Sequence, residues 1–190
     1  MNTALLVIDV QESFRQRPAD WQARTNPNVV EQVDRLVAAA RAAGDLVVWV
    51  LHTEPGSGGV FDPVNGFVHP IEPLAPIDGE PLVHKTSINA FTTTNLHQVL
   101  TANGIREVVV CGIRTDQCCE TTARVASDLG YDVRFVTDAT STSGIEAAGP
   151  LAAVSGAEIV ARTESILAAR GFATITTTDE VVAAASVAAG

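Results

Sequence analysis

Six short apolar runs, each separated from the next by residues with helical spacing, constrain this chain more than any other feature. "ALLVID" (4–9), "LVVWVL" (46–51), "PLVHK" (81–85), "EVVVCG" (107–112), "DVRFVTDA" (132–139) and "FATITT" (172–177) read as strands. Several are apolar on both faces, as parallel strands covered from two sides must be. Between the first two, Val29, Val33, Leu36, Val37 and Ala40 recur at helical spacing, after Asn26-Pro27 and before Gly44. Leu96, Val99 and Leu100 mark a second helix, closed by Asn103-Gly104, and a third spans about Cys118 to Leu129 before Gly130. Two more are expected near 144–154 and 163–170, and "TDEVVAAASVAA" opens with an N-cap and an acidic first turn, a closing helix. This alternation predicts right-handed βαβ units. The expected fold is one α/β domain over 1–190, a doubly wound parallel sheet of about six strands with helices on both faces. Residues 54–80, rich in proline and glycine, form the one long irregular stretch, a lid or an oligomer contact.

A net charge of −10 argues against nucleic acid or an anionic membrane as partner. No run approaches the ~20 apolar residues of a spanning helix. "MNTALLVIDV" lacks a basic start and turns acidic after five apolar residues, so no secretory leader and a cytoplasmic location are expected. Three cysteines, two of them adjacent, make a poor disulfide framework and are expected as reduced thiols.

Ligands of open α/β sheets bind beyond the carboxyl ends of the strands, so the polar residues there matter most. The first strand ends in Asp9 and the third in Lys85, the single lysine among twelve Lys and Arg residues. The fourth leads through "GIRTDQ" into Cys118 at a helix start. Lys is a compact point charge whose pKa moves on burial, which Arg cannot replace. A carboxylate, an ammonium and a thiol on one sheet edge make chemical sense together. The helix start and the ammonium would lower the thiol pKa, and the carboxylate would take its proton and return it to a leaving amine. Helix-start N–H groups would hold a developing oxyanion. Cys111, inside an apolar run, reads as core. Spacing does not choose between Cys118 and Cys119, since both trace plausible buried stripes.

The stretches "LLVIDVQESF", "HKTSINAF", "TNLHQVL", "VVVCGIRTDQCCETTARVASDLGY" and "VRFVTDAT" occur together over residues 4–140. In that order they resemble the isochorismatase-like cysteine hydrolases, the superfamily of nicotinamidases and N-carbamoylsarcosine amidohydrolases. The resemblance implies an Asp–Lys–Cys triad of Asp9, Lys85 and Cys118, the last from its T-D-x-C pattern, with Cys119 left to packing. It also implies a non-proline cis peptide at Ile113–Arg114 and an oxyanion hole from the N–H groups of Arg114 and Cys118. The Arg114 side chain departs from the small residue common there; it either pairs with an anionic substrate group or points to solvent. Gln11 and Phe14 follow the D-x-Q-x-x-F pattern and are expected to shape the pocket. Trp21, Phe61 and Phe91 are further candidates for its walls. Nicotinamidases hold zinc through a D-x-H arrangement and a further His. Here the second strand ends "WVLHTEPGSGG", offering His52 alone, with His69, His84 and His97 scattered. No catalytic metal and no cofactor are expected. Relatives form dimers or tetramers, and a homo-oligomer is expected.

The expected function is therefore a cysteine hydrolase cleaving a C–N bond of a small amide, ureido or imide substrate through a thioester. A thiol-based redox or ligand-binding protein on the same fold is the alternative. An Asp-nucleophile phosphatase fits less well, because it needs a second acid two residues after Asp9, where this chain has Gln11.

Overall fold

The computed structural model describes residues 2–188. Six strands, β1 (Thr3–Ile8), β2 (Leu46–His52), β3 (Leu82–Lys85), β4 (Glu107–Ile113), β5 (Asp132–Ser141) and β6 (Thr174–Thr176), form one parallel sheet in the order β3-β2-β1-β4-β5-β6. The expected doubly wound α/β sheet is therefore present, with its strands within about two residues of the predicted runs. Alternate side chains of β1 feed two separate cores, as a strand's period of two requires. Ala4, Leu6 and Ile8 pack with Leu96 and Leu100 of α4 (Leu96–Ala102) and with Ala123 and Ala126 of α5 (Glu120–Asp128). Leu5 and Val7 pack with Val33, Leu36 and Val37 of α3 (Val29–Ala43), which Gly44 ends in a left-handed conformation. Two short helices, α1 (Glu12–Arg15) and α2 (Pro18–Gln22), precede α3.

One expected helix is absent. Residues 144–154 instead fold back on themselves through antiparallel bridges Ile145↔Val154 and Ala148↔Leu151. The apolar spacing suits a helix, but Gly149 has φ +58° and Pro150 has no N–H, and together they turn the chain. The helix expected at 163–170 starts earlier, as α6 (Gly156–Ala169), because Ser155 and Glu158 close a capping box. A π-type turn, Thr115–Cys119, comes before α5, where a single regular helix from Cys118 is expected. The closing helix is α7 (Thr178–Ala188). Among the described residues, no helix is long and apolar enough to cross a membrane.

Residues 54–80 lie back on the exit of β1. Ile71 N–H donates to Val10 (3.0 Å), Glu12 N–H to His69 (2.9 Å) and Ser13 N–H to Phe67 (3.0 Å), with Phe61, Ile71 and Leu74 buried. The sheet's order reverses at β1 and β4, which lie side by side in the centre. Their carboxyl ends therefore open the crevice where a doubly wound sheet binds ligands.

Candidate active site

Three segments remote in sequence meet in that crevice. Asp9 leaves β1 with φ +54°, a left-handed backbone that a non-glycine residue adopts only when its surroundings enforce it. Lys85 is the last residue of β3, two strands away, and both side chains are fully buried. Their charged ends lie 2.8 Å apart. Lys85 Nζ also donates to Cys118 Sγ at 3.3 Å and to the Ser87 carbonyl at 3.2 Å. The Asp9 carboxylate faces both the Lys85 ammonium and the Cys118 thiol.

Gly112 makes this meeting possible. It takes φ +130° at an irregularity of β4, and a Cβ there would lie 1.9 Å from the Ile8 carbonyl oxygen. Only glycine lets β4 approach the end of β1 so closely. The next peptide bond, Ile113–Arg114, is cis. The π-type turn follows, and Cys119 N–H donates to the Arg114 carbonyl at 3.1 Å.

Electrostatics set the resting state. Burial pushes Asp9 above the ordinary carboxylate range, opposed by the Lys85 ammonium and the Cys118 thiol. Burial pulls Lys85 down, but Asp9 and Cys118 outweigh it and hold the lysine above its usual value. The lysine decides the pair's ionisation, since a buried ammonium beside a neutral acid would be uncompensated. Cys118 is pushed up to about 12, first by burial and then by the Asp9 carboxylate, against the pull of Lys85. The lowered thiol pKa expected from the helix start is not found; burial outweighs it. At neutral pH the site holds a carboxylate, an ammonium and a protonated thiol.

The remaining candidate residues divide into three groups. Phe14 and Phe61 meet edge to face at 5.1 Å, Phe61 meets the His52 ring at 5.5 Å, and the Arg114 guanidinium lies 5.9 Å from the Phe14 ring centre. Trp21 joins Phe14, Ile113 and Arg114 around a cavity of about 20 Å³. Gln11 instead acts as a clamp. Its amide donates to Ser13 Oγ and the His52 carbonyl (both 3.0 Å), and its oxygen accepts from His52 N–H (2.7 Å), joining the exits of β1 and β2. Phe91 lies in the core on the opposite face of the sheet from Phe14 and Phe61, stacked on Tyr131 at 6.3 Å. The Arg114 side chain does not point freely to solvent. It bonds Asp20 at 2.8 Å and Ser143.

Two contacts of the site escaped the sequence. His52 Nδ1 lies 3.4 Å from Lys85 Nζ, and its Nε2 3.3 Å from Glu54 Oε1. Its place at the end of β2, beside the strand that ends in Lys85, was the available signal. Asp20 carried none, because nothing in the sequence joins it to residue 114. The zinc of nicotinamidases does not fit these residues. His52 faces the Lys85 ammonium, which would repel a divalent cation, and no group of three or more His, Cys, Asp or Glu able to hold a metal occurs among the described residues.

The sequence model of the isochorismatase domain matches residues 3–180. The chain belongs to the isochorismatase family. An uncharacterised isochorismatase family protein of Bacillus subtilis, YrdC, is 32% identical over 142 residues, 75% of each chain. A streptothricin hydrolase of Streptomyces noursei is 37% identical over 148 residues, 76% of this chain and 51% of that one. A relative from Arabidopsis thaliana, 32% identical over 160 residues and covering 75% of this chain and 82% of its own, is described as a probable inactive nicotinamidase. The crystal structure of a cysteine hydrolase from Pseudomonas syringae pv. phaseolicola superposes with a TM-score of 0.89 at 29% identity, over 98% of this chain and 93% of that one. Among isochorismatase-family hydrolases, this chain is thus a relative whose Asp, Lys and Cys stand together at the sheet's switch point.

Proposed function

We propose that this hydrolase is a cysteine amidohydrolase that cleaves a C–N bond of a small amide, ureido or imide through a thioester on Cys118. The observation that carries this reading is the contact of one ammonium with both a buried carboxylate and a thiol, 2.8 and 3.3 Å away. Asp9 takes the Cys118 proton as the sulfur attacks the carbonyl carbon. Because the resting thiol is protonated, proton removal and attack proceed together, and the raised pKa of Asp9 makes it a stronger base. In this reading the Arg114 and Cys118 N–H groups, at the start of the turn that carries the sulfur, donate to the carbonyl oxygen as it becomes anionic. Protonated Asp9 returns its proton to the leaving amine. Water, deprotonated by the same carboxylate, then cleaves the thioester, and Asp9 passes that proton to the departing sulfur to restore the Cys118 thiol. Lys85 keeps its proton throughout, fixing Asp9 and stabilising negative charge at sulfur.

The redox alternative has less support. Oxidation-sensing cysteines are exposed and easily ionised, whereas Cys118 is 7% exposed with its pKa at about 12, and Cys119 is fully buried.

A small-molecule substrate, a cytoplasmic setting and a homo-oligomer belong to the same proposal. The arm at 145–154 supports the oligomer, since it exposes Ile145, Leu151 and Val154 with little charge among them. Light scattering after chromatography reads the assembly directly, and a monomer would remove that part.

The test of the activity is hydrolysis across a panel of primary amides, ureas and cyclic imides, read as ammonia release for the first two and as the ring-opened half-amide by mass spectrometry for the imides. Hydrolysis by the wild-type chain and none by Cys118→Ala is the expected result. Equal release by both would end the reading.

A further inference from the structure

We infer that His52 is a positioning residue that acts through Lys85, competing with the Cys118 sulfur for one ammonium hydrogen and so restraining the resting thiol. This rests on Cys118 being the nucleophile. An ammonium carries three hydrogens and accepts none. Four acceptors surround Lys85 Nζ: the Asp9 carboxylate at 2.8 Å, the Ser87 carbonyl at 3.2 Å, Cys118 Sγ at 3.3 Å and His52 Nδ1 at 3.4 Å. One of the four therefore goes without a hydrogen at any moment.

Charge and covalent attachment decide which one. Asp9 keeps its claim because it is anionic and buried, and an unpaired buried carboxylate is costly. The Ser87 carbonyl belongs to the backbone two residues beyond Lys85 and stays in place. The third hydrogen is left to sulfur or imidazole. A protonated thiol is a weak acceptor and an imidazole nitrogen a better one, so at rest that hydrogen belongs to His52. As Asp9 takes the Cys118 proton and charge gathers on sulfur, Sγ becomes the stronger acceptor. The hydrogen then turns from Nδ1 to Sγ by rotation of the ammonium about its Cε–Nζ bond. No proton changes owner, and Lys85 remains an ammonium.

The ring is held where this competition requires it. His52 ends β2 opposite Lys85 in the parallel ladder, so both side chains leave the same face of the sheet. Gln11 ties the His52 backbone at its N–H and its carbonyl, and the Phe61 ring meets the imidazole edge to face at 5.5 Å. Glu54 Oε1 stands 3.3 Å from the other ring nitrogen, Nε2. An ionised carboxylate only accepts, which puts the ring hydrogen on Nε2 and leaves the Nδ1 lone pair to Lys85.

Alkylation of Cys118 by iodoacetamide in the full chain, at one mildly alkaline pH, tests this. The reagent reports the thiolate fraction, and the modified site is followed by peptide mass spectrometry. His52→Leu removes the competing acceptor, so Cys118 should react about fivefold faster than in the wild type, the scale of one net hydrogen bond. His52→Asn offers a side-chain oxygen near the place of Nδ1 and should return the rate to that of the wild type. Leu and Asn are close in size, so easier access to the sulfur would speed both variants alike. A slower or unchanged rate in His52→Leu, or equal acceleration in both variants, would overturn the inference. The wild type gives a measurement free of any effect on folding. Its proton–nitrogen correlation spectrum should show the His52 ring hydrogen on Nε2, and a hydrogen on Nδ1 would equally overturn the inference. These outcomes leave the nucleophile intact; its own failure shows separately, as equal amide hydrolysis by the wild type and Cys118→Ala.

Discussion

Lys85 Nζ lies 2.8 Å from Asp9 Oδ2, and neither side chain is exposed. A pair so enclosed adds little net stability, because desolvation offsets most of its attraction, yet breaking it is costly. A chemical role for the pair, as proposed above, separates three variants. Lys85→Met leaves a buried carboxylate unpaired and should cost about 3–5 kcal/mol in urea unfolding. Asp9→Leu combined with Lys85→Met removes both charges and should recover most of that loss, with no hydrolysis. Lys85→Arg keeps the charge but forces a wide fork into a closed space, and should lose activity. A single Lys85→Met variant with an unchanged unfolding midpoint would contradict the pairing.

The two adjacent sulfurs differ in what they face. Cys118 is within reach of Lys85, whereas Cys119 is fully buried among Ala123 and Ala126. Cys118→Ala should lower turnover by several powers of ten and abolish the covalent adduct with an electrophilic amide analogue. Cys119→Ala should keep the adduct and lose about 1 kcal/mol of stability as a small cavity. The reverse pattern in intact-protein mass spectra would assign the nucleophile to Cys119.

Alkaline stability follows from the buried thiols. Cys118 is raised to about 12 and Cys111 is raised as well, both mainly by burial. Above the unfolded thiol value of ~8.5 the unfolded chain loses protons that the folded chain keeps. Stability is therefore fully present below that pH and falls as pH rises toward the folded values, by about 1.4 kcal/mol per unit for each thiol. Cys111→Ala should flatten this decline by one such share between pH 9 and 11, after its constant cost at pH 7 is subtracted. Parallel curves for wild type and variant would mean that Cys111 ionises in the folded protein.

The acid limb of kcat/KM should belong to Asp9. Protonation of the base removes activity, and burial places that protonation above the ordinary carboxylate range. The limb should therefore lie higher than that of an exposed aspartate, and Asp9→Asn should leave too little rate to show one. An acid limb at the position of an unperturbed carboxylate would show that Asp9 is not the base.

Gly112→Ala should separate the catalytic edge from the fold. A methyl group 1.9 Å from the Ile8 carbonyl forces β4 away from β1, at a cost of roughly 1–3 kcal/mol or more. Activity should fall further than stability, because the shift moves Cys118 relative to Asp9. Full turnover in a folded Gly112→Ala chain would show that the close approach does not position the site.

The apolar runs and turn residues made the strand–helix order legible, since each strand carries its own period and each boundary its own Gly, Pro or cap. Residues 144–154 were the exception: their spacing suits a helix, but Gly149-Pro150 turned the chain. The positions of Asp9, Lys85 and Cys118 at strand ends were likewise visible, because a parallel sheet brings all its carboxyl ends to one edge. Asp20 illustrates the limit, since nothing in the sequence marks that its carboxylate will pair with Arg114.

By itself, the sequence determined that this chain forms a doubly wound sheet and which polar groups stand at its functional edge. Local periodicity and chain connectivity are enough for that. Only the tertiary structure decided that the thiol rests protonated, that Asp20 neutralises Arg114, and that Gln11 ties two strand exits together. Each of these depends on burial and on contacts between residues far apart in the chain, which exist only once the strands and loops have packed.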